Sequence, residues 1–147
     1  MASFAYTKFK QLLLAGEIDF DEAGNDIRVI LVMTNTTADT EKDVDTVSAF
    51  TTLDEMDGSG YGREAIANQA TAEDEANDRG EFDGDDVTFA SVSAGTRDVQ
   101  AAVIYKHVTN DTDSVPIAYI DTGGFPFSPG GGDIVIQWNA EGILQAT

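Results

Sequence analysis

The sequence predicts a mainly β fold: an antiparallel β-sandwich or open barrel with one short N-terminal helix. Three observations carry that expectation. Short runs of alternating or unbroken apolar residues recur along the chain. Clusters of Gly, Asp, Asn and Pro separate them. Helical spacing is clear in a single stretch near the start. The 147 residues match one ordinary domain, and 41% hydrophobic content suffices for a core. Residues 1–147 are therefore read as one β-rich domain.

The helix is expected over about residues 3–15, in SFAYTKFKQLLLAG. Ser3 would cap it, Phe9, Leu12 and Leu13 share one face, and Gly16 suits the position after its end. A turn follows, tightest at Ala23-Gly24-Asn25. DIRVILVMT (26–34) is the clearest strand. Ile27, Val29, Leu31 and Met33 fall on one face and Ile30 and Val32 on the other, which predicts a central strand covered on both sides. Residues 36–60 read as an acidic linker with one helical turn around Val47–Leu53, and Asp57-Gly58-Ser59-Gly60 as a turn.

REAIANQATA (63–72) alternates weakly and is taken as a strand, and the acidic run after it as turns. DVTFASVS (86–93), VQAAVIYKHV (99–108) and PIAYIDT (116–122) are strands, with Pro116 at the start of the third, where its missing N–H does least harm. DIVIQWNA (133–140) is read as the last strand. Its Ile134, Ile136 and Trp138 share a face and are expected to anchor the core. The Gly- and Pro-rich loop 123–132 lets the chain leave a sheet and re-enter it. Trp138→Ala should then cost about 3–5 kcal/mol.

Charge is the outlier. Eight Lys and Arg face 27 Asp and Glu, for a net charge of −19. Such a surface repels nucleic-acid phosphates and anionic lipid, so neither nucleic acid nor membrane is expected as a partner. The acidic balance reads as adaptation to salty surroundings; a basic partner or bound divalent cations are the alternatives. There is no cysteine, hence no disulfide framework or thiolate chemistry. The N-terminus lacks a signal-peptide layout, and no apolar run is long enough to span a bilayer.

No catalytic residue, metal ligand or cofactor is predicted. His107, the only histidine, has no nucleophile context and reads as a structural or surface residue. Gly58-Ser59-Gly60 is a turn, not a nucleophile elbow, since no strand leads into it. Asp19-Phe-Asp21-Glu-Ala-Gly24 begins like a calcium loop but has Ala23 and Ile30 where ligands are required. Asp83-Gly-Asp85-Asp86 is denser, yet aspartate is so common here that such clusters arise by chance. Gly130-Gly131-Gly132 lacks the Lys-Ser/Thr of a phosphate loop. Tyr61, Phe125 and Phe127 are the loop aromatics that a sugar site would use.

Several pieces, in order, carry a resemblance: YTKFKQLLLAGEID, DIRVILVMT, DRGEFDGDDVTFAS, AAVIYKHV, PIAYIDTGG and DIVIQWNAEGIL. Together the chain is similar to a family of small structural proteins encoded among tailed-phage virion genes. The resemblance covers most of the chain outside the segment 36–60, and its motifs are strand sequences rather than catalytic signatures. It implies a head-decoration or cement protein on the outside of a capsid, made in the host cytoplasm. Partners would be the major capsid protein and copies of the chain itself, as dimer or trimer. Heavier Asp content and FPFSPGGG depart from the pattern. A decoration protein needs contact tips among its charges. Phe125, Phe127 and Pro129 in the glycine-bordered loop, and Phe4, Tyr6 and Phe9 near the start, are the expected ones. The alternative is a tail-associated adhesion module binding a glycan or receptor.

Overall fold

The computed structural model describes residues 3–20 and 26–147. The turn expected at 23–25 and most of the first calcium-like loop lie outside them. The chain runs β1 (Phe4–Ala5), α1 (Thr7–Ala15), β2 (Asp26–Met33), a 3-10 turn (Val47–Ala49), β3 (Glu64–Ala65), β4 (Ala70–Asp74), β5 (Arg79–Asp83), β6 (Val87–Phe89), β7 (Val99–His107), β8 (Val115–Ile120), β9 (Ile134–Ile136) and β10 (Leu144–Ala146). The fold is mainly β, with antiparallel sheets, one short helix and no closed barrel, as a sandwich-like reading requires.

One sheet has the order β1-β8-β7-β2-β3. Its backbone is the β2–β7 ladder, from Asp26↔His107 to Met33↔Val99. The two faces of β2 separate as the alternation predicts. Ile27, Val29, Leu31 and Met33 enter one buried cluster, while Ile30 and Val32 enter the other. The first cluster lies under α1 and the smaller sheets, β10-β5-β4 and β6-β9. β5 passes through Gly84–Asp86 into β6, and both pair with the C-terminal run that holds β9 and β10. The smaller sheets thus make one bent layer opposite the large one.

The second cluster lies on the other face of the large sheet. Residues 36–60 do more than link elements there. Ala38, Val47 and Phe50 are buried against Val103, Tyr105 and Tyr119, and the Tyr6 hydroxyl donates to the Ala38 carbonyl at 2.7 Å. Gly58 is needed where this segment turns back: a Cβ there would sit 2.0 Å from the Ser93 carbonyl oxygen.

Four expectations are corrected. The helix starts at Thr7, and Ser3 does not cap it: Tyr6 is the N-cap residue, without a side-chain cap. Phe4, Ala5 and Tyr6 alternate between the two clusters, a strand pattern, and Phe4–Ala5 pairs with Tyr119 and Ala118. The helix does end as predicted, with Gly16 left-handed at φ 71°. The expected strand 63–72 is split, because Ile66 turns into the core, its N–H bonded to the Ile27 carbonyl, and Asn68 adopts φ 51°. The acidic run after it is a β4–β5 hairpin, not only turns, since Arg79 at its heart bridges Asp74 and Glu81. The last strand is β10, not the run through Trp138. β9 stops at Ile136, and the loop 123–132 carries the chain from the large sheet into the other layer rather than back.

Candidate partner-binding seam

The two layers do not join along one side. There the edge formed by β1 and β8 faces the edge formed by β9 and β10 across an open cleft of about 1040 Å³. Local chemistry sets each wall. Phe4 and Tyr119 border the cleft at the edge of the large sheet, with their rings in the second cluster, stacked at 5.4 Å between centroids, and Lys42 Nζ lies 4.5 Å from the Phe4 centroid. Phe127 is held by a two-way backbone bridge to Val99, at 2.8 and 3.0 Å, with the Phe125 ring 5.5 Å away. Asp133 accepts the Ser91 N–H at 2.8 Å, which fixes the entry to β9. β9 then turns Ile134 and Ile136 inward and Val135 outward, half exposed.

Trp138 closes one end. Its Nε1–H donates to the Asp85 carbonyl at 2.9 Å, and its N–H to Asp86 Oδ1 at 3.0 Å. The ring is partly buried against the core rim and lines the seam. Ile143 and Leu144 complete the wall. Among the described residues that line the seam, Asp133 alone carries a charge. On a chain of net −19 that makes the seam an uncharged strip.

The sequence-derived contact residues divide here. Phe4, Phe125, Phe127 and Pro129 line the seam. Tyr6 and Phe9 do not: both are buried, in opposite clusters, because they alternate into the core rather than lie on an exposed helix face. Pro129 is itself buried, so it shapes the wall more than it projects. Of the core anchors, Ile134 and Ile136 are buried, and Trp138 is only partly so. Tyr61 is not a sugar platform. It stacks on Phe89, accepts the Leu31 N–H and donates to Glu55, and burial pushes its hydroxyl well above the ordinary tyrosine range. Ser3, Gln137, Ile143 and Leu144 were not anticipated. The one signal for the last two was an uncharged run, GILQAT, after so much acid.

Two arginine-centred clusters elsewhere are internally matched. Arg63 holds Glu55 through two bonds at 2.8 and 2.7 Å and Asp111 through two at 2.5 and 2.9 Å. It also lies against the Tyr105 ring. The bond from Arg63 holds the Asp111 carboxyl below its usual range. Asp74, Glu81 and Glu141 converge closely enough to hold a cation, but the Arg79 guanidinium reaches all three. Asp85 and Asp86 of the second calcium-like loop accept from Asn68 and Trp138. His107 sets its ring edge-on to Tyr105, and its buried Nδ1 has no hydrogen-bond partner among the described residues. No helix among the described residues is long and apolar enough to cross a membrane. No protein-family model matches the chain, and neither a curated protein nor a solved structure matches it.

Proposed function

We propose that this chain is a non-enzymatic structural virion protein that decorates and stabilises the outside of a tailed-virus capsid. The observation that carries the reading is the seam: an uncharged, partly aromatic strip on a strongly acidic domain. Like-charge repulsion opposes close approach almost everywhere else, so a docking face belongs where charge is absent. The run of strand sequences similar to tailed-phage structural proteins supplies the partner, the major capsid protein, with copies of the chain beside it on the lattice.

Copy number per purified particle, by quantitative mass spectrometry against the major capsid protein, tests this. A ratio near one per capsid subunit, or a simple lattice fraction of it, is expected. Absence from particles would sink the proposal. A second reading has its own observation. Phe125, Phe127 and Trp138 share the seam with Gln137 and Asn139, the mixture of aromatic and amide groups that sugar sites use. A tail-associated adhesion module would show only a handful of copies per particle, and Trp138→Ala would abolish attachment.

A further inference from the structure

Resting on the seam as the docking face, we propose that it binds one extended, uncharged stretch of a partner polypeptide as an added β-strand. The strand would lie between the β1–β8 edge and the β9–β10 edge. β1 is paired only by β8, β9 only by β6 and β10 only by β5. Each therefore presents unpaired backbone N–H and C=O groups along one side. Residues of all three strands line the open cleft.

Comparison with the other free edges decides the point. β3 carries Glu64, and β4 carries Glu73 and Asp74. Charges of this kind blunt an edge against pairing. Phe4–Ala5, Ile134–Ile136 and Leu144–Ala146 carry none, although 27 acids were available to place there. Of the uncharged edges, β1, β9 and β10 border the seam, while β6 (Val87–Phe89) lies beside β3 instead.

Charge also selects the occupant. A basic segment finds only Asp133 in the seam, already engaged with Ser91, and far more acid outside it. An acidic segment is repelled by the whole chain. A second copy presents its own uncharged strip as a concavity, and two concavities do not fill one another. An uncharged strand satisfies the main-chain groups and alternates apolar side chains toward Ile120, Phe127 and Ile143.

The test uses the full chain and a panel of capped octapeptides that alternate Thr with Val, Ile, Leu or Phe, a length within the ordinary range of strands. One control set has alternate backbone amides N-methylated; another replaces Thr by Lys or by Glu. Trp138, the only tryptophan, is the fluorescent reporter. A saturable blue shift is expected with uncharged peptides, with exchange at amides of residues 134–136 or 144–146 slowed about tenfold or more. N-methylation and Val135→Lys should each weaken binding about tenfold or more, by removing donors and by guarding the edge. Leu14→Lys, at an exposed apolar residue outside the seam, should leave it unchanged. The proposal is overturned if no uncharged peptide shifts Trp138 at about millimolar concentration. Equal binding of N-methylated peptides, or preference for the Lys series, overturns it as well. Self-association that protects the same amides would make a second copy the occupant and would also overturn it. A chain found in lattice-like copy number, yet silent to every peptide, keeps the decoration role and loses strand addition.

Discussion

Trp138 sits at the meeting of core and solvent, and its energetics follow from that position. Its ring is partly buried and its indole N–H has a fixed acceptor in Asp85. Trp138→Ala should lower stability by about 1–3 kcal/mol in urea unfolding, less than the 3–5 typical of a fully enclosed aromatic. Arg63 is a different case. Removing it leaves Glu55 and Asp111 without their cation on partly buried sites. Arg63→Met should cost about 1–3 kcal/mol at pH 7, between the exposed and buried limits for ion pairs. The pH dependence has a definite sign. Asp111 is held below its usual pKa, so its contribution is present above the unfolded aspartate value of about 3.9 and disappears as pH falls through the folded value. The gap between wild type and Arg63→Met should therefore narrow between pH 7 and about pH 3; an unchanged gap would mean that Arg63 acts through Tyr105 packing instead.

At the scale of elements, β9 offers a clean internal contrast. Ile136→Ala should cost about 2–4 kcal/mol and Val135→Ala about 0.5 or less, because one side chain fills the core and its neighbour faces out. Equal losses in chemical denaturation would mean that the strand is turned the other way. Long strands such as β2 and β7 were legible in the sequence because both faces are apolar and no turn residue interrupts them. β1 was misread because two strand residues abut a genuine helix, and Ser3 looks like a cap at either boundary. The β4–β5 hairpin was hidden because its acids read as loop until Arg79 is seen to tie them together. Of the seam, the loop aromatics and Ile134 could be found from the sequence. The facing of two distant edges could not, since it depends on which strands pair.

For the whole molecule, self-repulsion and ion pairing pull in opposite directions. With 27 acids and eight bases, most carboxylates have no cation, so repulsion is the larger effect. Raising NaCl from about 0.05 to 1 M at pH 7 shortens the screening length from above 10 Å to about 3 Å, and the melting temperature should rise. A fall would show that the ion pairs of Arg63, of Arg79 and of Arg97 with Asp54 outweigh the uncompensated charge. Both cores share the β2–β7 ladder, one on each face, so unfolding should be a single cooperative transition by fluorescence and by circular dichroism.

The strands nearest the two ends of the sequence, β1 and β10, stand on opposite banks of the same cleft. A purification tag or fluorescent protein fused close to either strand would crowd that cleft and compete with whatever docks there. Binding partners sought with such fusions would be undercounted.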